Sequence, residues 1–210
     1  TQTGDSVRNW YTGDAVVFNP VNPSNQDEIL GYSFPGVFQE QFLVEHVESR
    51  SWLIHRIPSE LLTAVGALVE PLATAIYSRD LAIQMCDGRV AVVVGDGPIA
   101  LLNSILLRLS GFETVLMIHG RSESNRWAVR NGFFDRNDVI SGRSDVPRNV
   151  TERLAGELVD VVIICTPGEA VEQATMDALV YLKPGGLINF VSASDTPVIS
   201  LGQGDLNVED

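Results

Sequence analysis

The sequence predicts an α/β fold: a doubly wound parallel sheet preceded by a β-rich region. Three observations carry this. From Arg89 onward, apolar runs of strand length alternate with helical periodicities, and parallel strands need such crossovers. The run Val90 to Val94 is apolar throughout, as a strand covered on both faces must be. Gly95-Asp96-Gly97-Pro98 follows at once, punctuating a strand-to-helix turn. The chain has 210 residues, 45% of them apolar, enough for a substantial core. Its net charge of −13 argues against nucleic-acid or anionic-membrane partners, which need a basic footprint. No apolar run approaches the ~20 residues of a membrane span. The opening residues lack the basic and apolar regions of a signal peptide. The two cysteines, Cys86 and Cys165, suit buried thiols in a reducing, cytoplasmic setting. Asn149-Val150-Thr151 is a glycosylation sequon that carries little weight without a secretory signal.

The elements follow in order. Asp14 to Phe18 reads as a short strand. The next stretch, rich in Asn, Pro, Ser and Gly, reads as a loop. Val37 to Glu45 alternates apolar and polar residues, which predicts a half-buried strand. "SWLIHRIP" is a short strand ended by Pro58. Ser59 is placed to cap a helix over "ELLTAVGAL". "EPLATAIYSRDLAIQ" predicts a second helix with Leu72, Ile76 and Tyr77 on one face and Pro71 in its first turn. After the Val90–Val94 strand, Pro98 to Leu109 carries Ile99, Leu102, Ile105, Leu106 and Leu109 at helical spacing. "TVLMIH" is a strand, "SNRWAVRNG" a helix stopped by Gly132, and Asp138 to Ile140 a short strand. "VTERLAGELV" predicts a helix, "DVVIICT" a strand and "EAVEQATMDALVYL" a helix. "KPGG" predicts a turn and "LINFVS" the fifth strand.

Gly95-Asp96-Gly97-Pro98-Ile99-Ala100 has the form G-x-G-x-x-A. Here it follows a strand, opens a helix and begins a series of β-α units, the context of a dinucleotide-binding Rossmann turn. The first glycine allows the turn. The second lets backbone approach a pyrophosphate, and the small third residue lets helix and strand pack closely. The helix N-terminus adds N–H groups and partial positive charge. Asp96 departs from the pattern, because a carboxylate repels phosphate unless it points to solvent. NAD usually meets an acid about 20 residues on, which bonds the ribose 2′-OH, whereas NADP meets an arginine. This chain has His119 there, then Gly120, Arg121 and Ser122. Arg121, with Ser122 or Arg126, would bind a 2′-phosphate, which favours NADP while leaving NAD open. The alternative is that Arg121 is a solvated loop residue. Thr166 and Pro167 end the fourth strand, where the carboxyl ends of a doubly wound sheet line the ligand crevice; an ordinary turn is the other reading. Cys86 and Cys165 are expected to be inert core thiols.

The order of these features resembles the medium-chain dehydrogenase/reductase superfamily, in particular the zinc-type alcohol and polyol (sorbitol and threonine) dehydrogenases. "GDSVRNWYTGDAVVFNP" resembles the G-x-x-V-x-x-x-x-x-G-D-x-V passage of the GroES-like catalytic domain, and "GVFQEQFLVE" resembles its G-x-F-A-E-Y strand. "LVEPLATAIYS" is similar to the segment joining the two domains. "VVVGDGPIALL" is similar to V-x-G-x-G-P-I-G, and "HGRSESNRWAVRNGF" to the G-S-R…A…G-A pattern of NADP-dependent members, which aligns His119, Gly120 and Arg121 with that triplet. The match runs along nearly the whole chain. It implies residues 1–58 as part of a GroES-like domain, 59–86 as linking helices and 87–210 as a Rossmann domain, incomplete at its C-terminal end. It also implies hydride transfer between a nicotinamide and a small alcohol or polyol, with zinc polarising the oxygen.

Departures from the family pattern qualify this. The early cysteine and the G-H-E of the catalytic zinc have no counterpart in residues 1–210, and Asn19 to Tyr32 holds no cysteine for a structural zinc loop. The expectation is a chain lacking both ends of the family sequence, with impaired activity, no zinc of its own and poor association through the sheet edge. Glu70 matches a position at or near the family's zinc. Read from the residues alone, Glu70 and Pro71 simply start a helix. Two other functions stay open. One is a non-catalytic nucleotide-binding module. The other is an S-adenosylmethionine-dependent methyltransferase, suggested by "YLKPGGLINF" but opposed by the absence of an acid on the second strand. A short-chain dehydrogenase is disfavoured, since neither Tyr77 nor Tyr181 has a lysine four residues on.

Overall fold

The computed structural model describes residues 2–61, 63–119, 127–142, 144–168 and 170–191. The chain divides into two compact units, Thr1–Glu70 and Pro71–Asp210.

The first unit is built from short antiparallel pairs. β1 (Val16–Phe18) pairs with β4 (Ile54–Arg56), and β2 (Val21–Asn22) with β3 (Asn25–Ile29). Arg56 organises the first pair. Its guanidinium donates to the Asp14 carboxylate at 2.7 Å and to the Asn9 carbonyl at 2.6 Å, and it lies over the Trp10 ring. The Arg56 bond, with the Tyr11 N–H, holds the Asp14 carboxyl below its ordinary value. Residues 37–45 form no strand. Alternation marks two faces, but a strand also needs a partner to bond. What the segment does is place Phe42 edge-on against Phe18, with ring centroids 5.6 Å apart, while Phe38 and Leu43 stand exposed. Ser59 caps no helix either: residues 59–61 are turn, and the short helix α1 begins only at Thr63 (Thr63–Gly66).

The second unit is the parallel sheet. β5 (Val90–Val94), β6 (Thr114–His119), β7 (Val139–Ser141), β8 (Val159–Ile164) and β9 (Leu182–Phe190) lie in the order β7-β6-β5-β8-β9, every pair parallel. Reading outward from β5 in both directions, the connection reverses between β5 and β8. This is the switch point of a doubly wound sheet. Helix α3 (Pro98–Leu109) crosses from β5 to β6. Residues 127–130 are helical and end in a Schellman cap, with Gly132 at φ +72°, its N–H on the Val129 carbonyl and the Phe133 N–H on the Ala128 carbonyl. α4 (Val146–Arg153) and α5 (Ala170–Tyr181) carry the chain back. β5 and β8 are buried along their whole length. One core layer sets Val92, Val162 and Ile164 against Val150, Ala174 and Ala178 of α4 and α5. The other sets Ala91, Val93 and Ile163 against Ala82, Ala100 and Leu107.

Two expectations change here. Helix α2 (Val69–Met85) does not bury Leu72, Ile76 and Tyr77. Its buried face is Ala75, Ser78 and Ala82, and Tyr77 is 69% exposed. Small side chains let the backbone come close, and the Ser78 hydroxyl accepts a 2.9 Å bond from the Asn189 amide of β9. "KPGG" is not a turn before a strand but a bulge within β9. The register passes from Val159↔Leu182 to Val161↔Leu187, and Gly185 takes φ +75° to let the extra residues loop out. The Asp160 carboxylate holds that region. It accepts the Arg89 and Val90 N–H groups at 2.7 and 2.9 Å and pairs with Lys183. Burial pushes its carboxyl up, but the Lys183 bond and the two N–H groups outweigh this and hold it below its ordinary value.

Candidate functional site

The site is the crevice outside the carboxyl ends of β5, β6 and β8, where an open α/β sheet binds its ligands. Gly95 leaves β5 at φ +144° and is fully enclosed by neighbours. A Cβ there would stand 3.0 Å from the Cys165 Cβ and 3.2 Å from the Ala100 Cβ. The glycine and the small Ala100 are therefore required together, because the first turn of α3 presses directly on the strand ends. Two backbone bonds lock the turn: the Gly95 N–H donates to the Ile118 carbonyl at 2.8 Å, and the Cys165 N–H to the Val94 carbonyl at 2.7 Å. Gly97 differs. It is the N-cap of α3 at φ −88°, and a Cβ on it would meet nothing within 4 Å. Its open side borders a cavity rather than packed neighbours. Pro98 occupies the first helical position, where it has no N–H to lose, and no side chain caps the N–H groups of this turn.

Two cavities flank the turn. One, of about 440 Å³, runs from Gly95 and Asp96 past Thr166 and Pro167 to α5; the other, of about 320 Å³, lies between Gly97, Pro98, Leu101, Met117 and Trp127. Asp96 and His119 line both. His119, at the end of β6, is 3% exposed, and its carbonyl accepts the Gly142 N–H. Asp96 is half-buried, so its carboxylate does not stand clear in solvent. Ile99 lies half-buried on the first turn of α3. Gly120, Arg121, Ser122 and Arg126 lie outside the described residues. Among the described residues no lysine or arginine lines either cavity. Burial pushes the Cys165 thiol up to about 12, so it is a neutral wall of the crevice rather than a nucleophile.

The site also contains residues that sequence spacing did not single out: Gly142, Val146, Gln173, Asp177 and Tyr181. The only signal for the last three was their i, i+4, i+8 spacing on α5, which puts them on one face.

Glu70 sits exposed in the first turn of α2. Among the described residues no group of three or more His, Cys, Asp or Glu side chains could hold a metal ion. The described residues do not make a zinc site.

No family model matches the chain. Its sequence is 30% identical over 176 residues to (R,R)-butanediol dehydrogenase of Bacillus subtilis, covering 79% of this chain and 48% of that protein. It is 26% identical over 202 residues to D-xylulose reductase of Saccharomyces cerevisiae, covering 88% and 54%. The chain belongs to the medium-chain dehydrogenase/reductase superfamily. Solved structures give the same fold. Galactitol-1-phosphate dehydrogenase from Escherichia coli aligns with a TM-score of 0.73 at 19% identity, over 96% of this chain and 59% of that one. TarJ of S. aureus, in complex with NADPH, aligns with a TM-score of 0.65 at 17% identity, over 93% and 53%. The chain spans about half the length of the curated relatives it matches. No helix among the described residues is long and apolar enough to cross a membrane.

Proposed function

We propose that this chain binds a nicotinamide dinucleotide and takes part in hydride transfer between it and a small alcohol or polyol. One observation carries the reading. The Gly95–Ala100 turn stands at the switch point of a parallel sheet, and its one open glycine, Gly97, lines the 320 Å³ cavity beside the end of β6, while Gly95 and Asp96 line the 440 Å³ cavity on the other side. The names of the superfamily relatives agree with it, since they are alcohol and polyol dehydrogenases or reductases.

When bound, the nicotinamide supplies or accepts the hydride. This chain's residues do the holding. The N–H groups of Gly97, Ile99 and Ala100 would meet the pyrophosphate at the positive end of α3. Gly95 and Ala100 keep that helix seated on the sheet. Thr166 and Pro167 wall the crevice beside β8. We assign NADP ahead of NAD because β6 ends in His119 rather than an acid, with Arg121 two residues on. Glu70 stands at the position that the zinc-type resemblance sets near the metal, and one carboxylate cannot hold zinc by itself.

The test is a titration of the purified chain with NADPH, NADH and S-adenosylmethionine, read by fluorescence and by melting temperature. Saturable NADPH binding tighter than NADH binding is expected. A response to S-adenosylmethionine alone would overturn the reading in favour of a methyltransferase.

A further inference from the structure

Arg108, in the last turn of α3, lines neither cavity. Its guanidinium nevertheless gathers four partners. It pairs with the Asp138 carboxylate at 2.6 Å and lies over the Phe134 ring, 4.6 Å from the centroid. It donates to the Phe133 and Val115 carbonyls, each at 3.4 Å. Its Nε is buried without a hydrogen-bond partner. An unbonded buried N–H costs stability, so this is not a loose surface pair, which would turn that N–H to water.

Phe133, Phe134 and Asp138 belong to the segment that follows the helical residues 127–130 and leads into β7. Residues 127–138 form no strand, so side chains must fix their place. The backbone bonds at the helix end are local: the Asn131, Gly132 and Phe133 N–H groups return to the Trp127, Val129 and Ala128 carbonyls. Phe134 and Ala128 are buried with Met117 of β6, and Leu101 of α3 packs against them. The Phe133 ring stacks on Trp127, with centroids 5.3 Å apart and planes 16° from parallel. Trp127 and Ala128 in turn wall the 320 Å³ cavity, opposite Gly97 and the end of β6. Contacts therefore run without a break from Arg108 through Phe133 to Trp127.

We propose that Arg108 is a positioning residue: by clamping residues 133–138 to α3 it sets the Trp127 wall, and with it the width of the cavity beside the end of β6. The inference rests on the dinucleotide reading above and adds to it a residue that shapes one side of the site without touching the ligand. The position calls for arginine, because a planar guanidinium can serve a carboxylate, two carbonyls and an aromatic face together, whereas a lysine ammonium is a point charge.

The experiment titrates the full chain by calorimetry with the two halves of NADPH, adenosine 2′,5′-bisphosphate and reduced nicotinamide mononucleotide. Tryptophan emission is followed in parallel, and Trp127 is the one tryptophan of the second unit. Arg108→Met is expected to weaken the bisphosphate by roughly fivefold, to leave the mononucleotide unchanged and to shift Trp127 emission to the red. Arg108→Lys, which keeps the charge but not the fork, should lose nearly as much. Phe133→Leu breaks the stack while leaving the clamp intact and should give the same loss. The double variant Arg108→Met with Phe133→Leu should lose no more than either alone, because both act through one contact. Thermal melts check that each variant is folded at the titration temperature, and if Arg108→Met is not, Arg108→Lys and Phe133→Leu decide the matter. A merely structural role would lower the melting temperature and leave every affinity unchanged. That result, equal weakening of both halves, or additive losses in the double variant would overturn the inference and leave the dinucleotide reading standing. A wild type that binds neither NADPH nor either half would overturn both.

Discussion

The two glycines of the turn should fail in opposite ways when each is replaced by alanine. At Gly95 the new Cβ would stand 3.0 Å from the Cys165 Cβ, 3.2 Å from the Ala100 Cβ and 3.3 Å from the Cys165 carbonyl carbon. None of these neighbours is the end of a flexible side chain, so backbone must move. Overpacking of this kind costs about 1–3 kcal/mol, and the φ of +144° adds roughly 1–2 kcal/mol for any residue with a Cβ. Gly95→Ala should therefore lose about 3 kcal/mol, or roughly 6–12 °C of melting temperature at this chain length. At Gly97 the Cβ meets nothing within 4 Å, and φ is −88°. Gly97→Ala should keep its stability within about 0.5 kcal/mol yet lose at least tenfold in NADPH affinity, because its methyl would stand where the pyrophosphate must approach. Urea unfolding and fluorescence titration of the two variants side by side measure both quantities. A Gly97→Ala variant that binds NADPH like the wild type would refute the cradle. A Gly95→Ala variant as stable as the wild type would refute the packing argument.

Three further outcomes are expected. Asp96→Asn removes a half-buried negative charge beside the phosphate position and should tighten NADPH binding by about 1 kcal/mol, or roughly fivefold; weaker binding would mean that Asp96 serves the ligand. His119→Asp puts a carboxylate where a ribose 2′-OH would be bonded and a 2′-phosphate repelled, so the NADPH-to-NADH affinity ratio should fall at least tenfold by titration; an unchanged ratio would remove His119 from the cofactor site. Asp160 has a carboxyl value held below that of the unfolded chain, so its contribution is present above about pH 4 and is lost as pH falls through the depressed value. The stability gap between wild type and Asp160→Asn, measured by urea unfolding from pH 6 to pH 2, should shrink toward the acid end. A gap constant across that range would show that the carboxylate contributes nothing through its charge.

The sheet was legible because its strands are uniform. Val90 to Val94 is apolar throughout and Val159 to Ile164 is apolar but for Asp160 near its start, so neither alternates, and Gly95-Asp96-Gly97-Pro98 marks where the first of them ends. What escaped depended on partners rather than pattern. Residues 37–45 alternate correctly but have no strand beside them. Ser59 is a sound capping residue with no helix immediately after it. In α2 the large apolar residues suggest the wrong face, because close packing selects Ala75, Ser78 and Ala82, whose small size carries little signal. The wall of the crevice was hidden for a related reason. Gln173, Asp177 and Tyr181 form no apolar stripe in the sequence, and only the packing of α5 on the sheet sets them along one wall of the crevice.

The two backbone bonds that lock the turn have a consequence in time. They tie it to β5, β6 and β8, and the flanking residues Val92, Val93, Val162 and Ile163 have no exposure at all. Amides in such strands exchange with solvent only when the whole unit opens. The Gly95 and Cys165 amides should therefore be among the slowest in the chain to exchange deuterium, although they border an open crevice. A ligand arriving there would find its seat already ordered, and little further conformational freedom would be lost on binding.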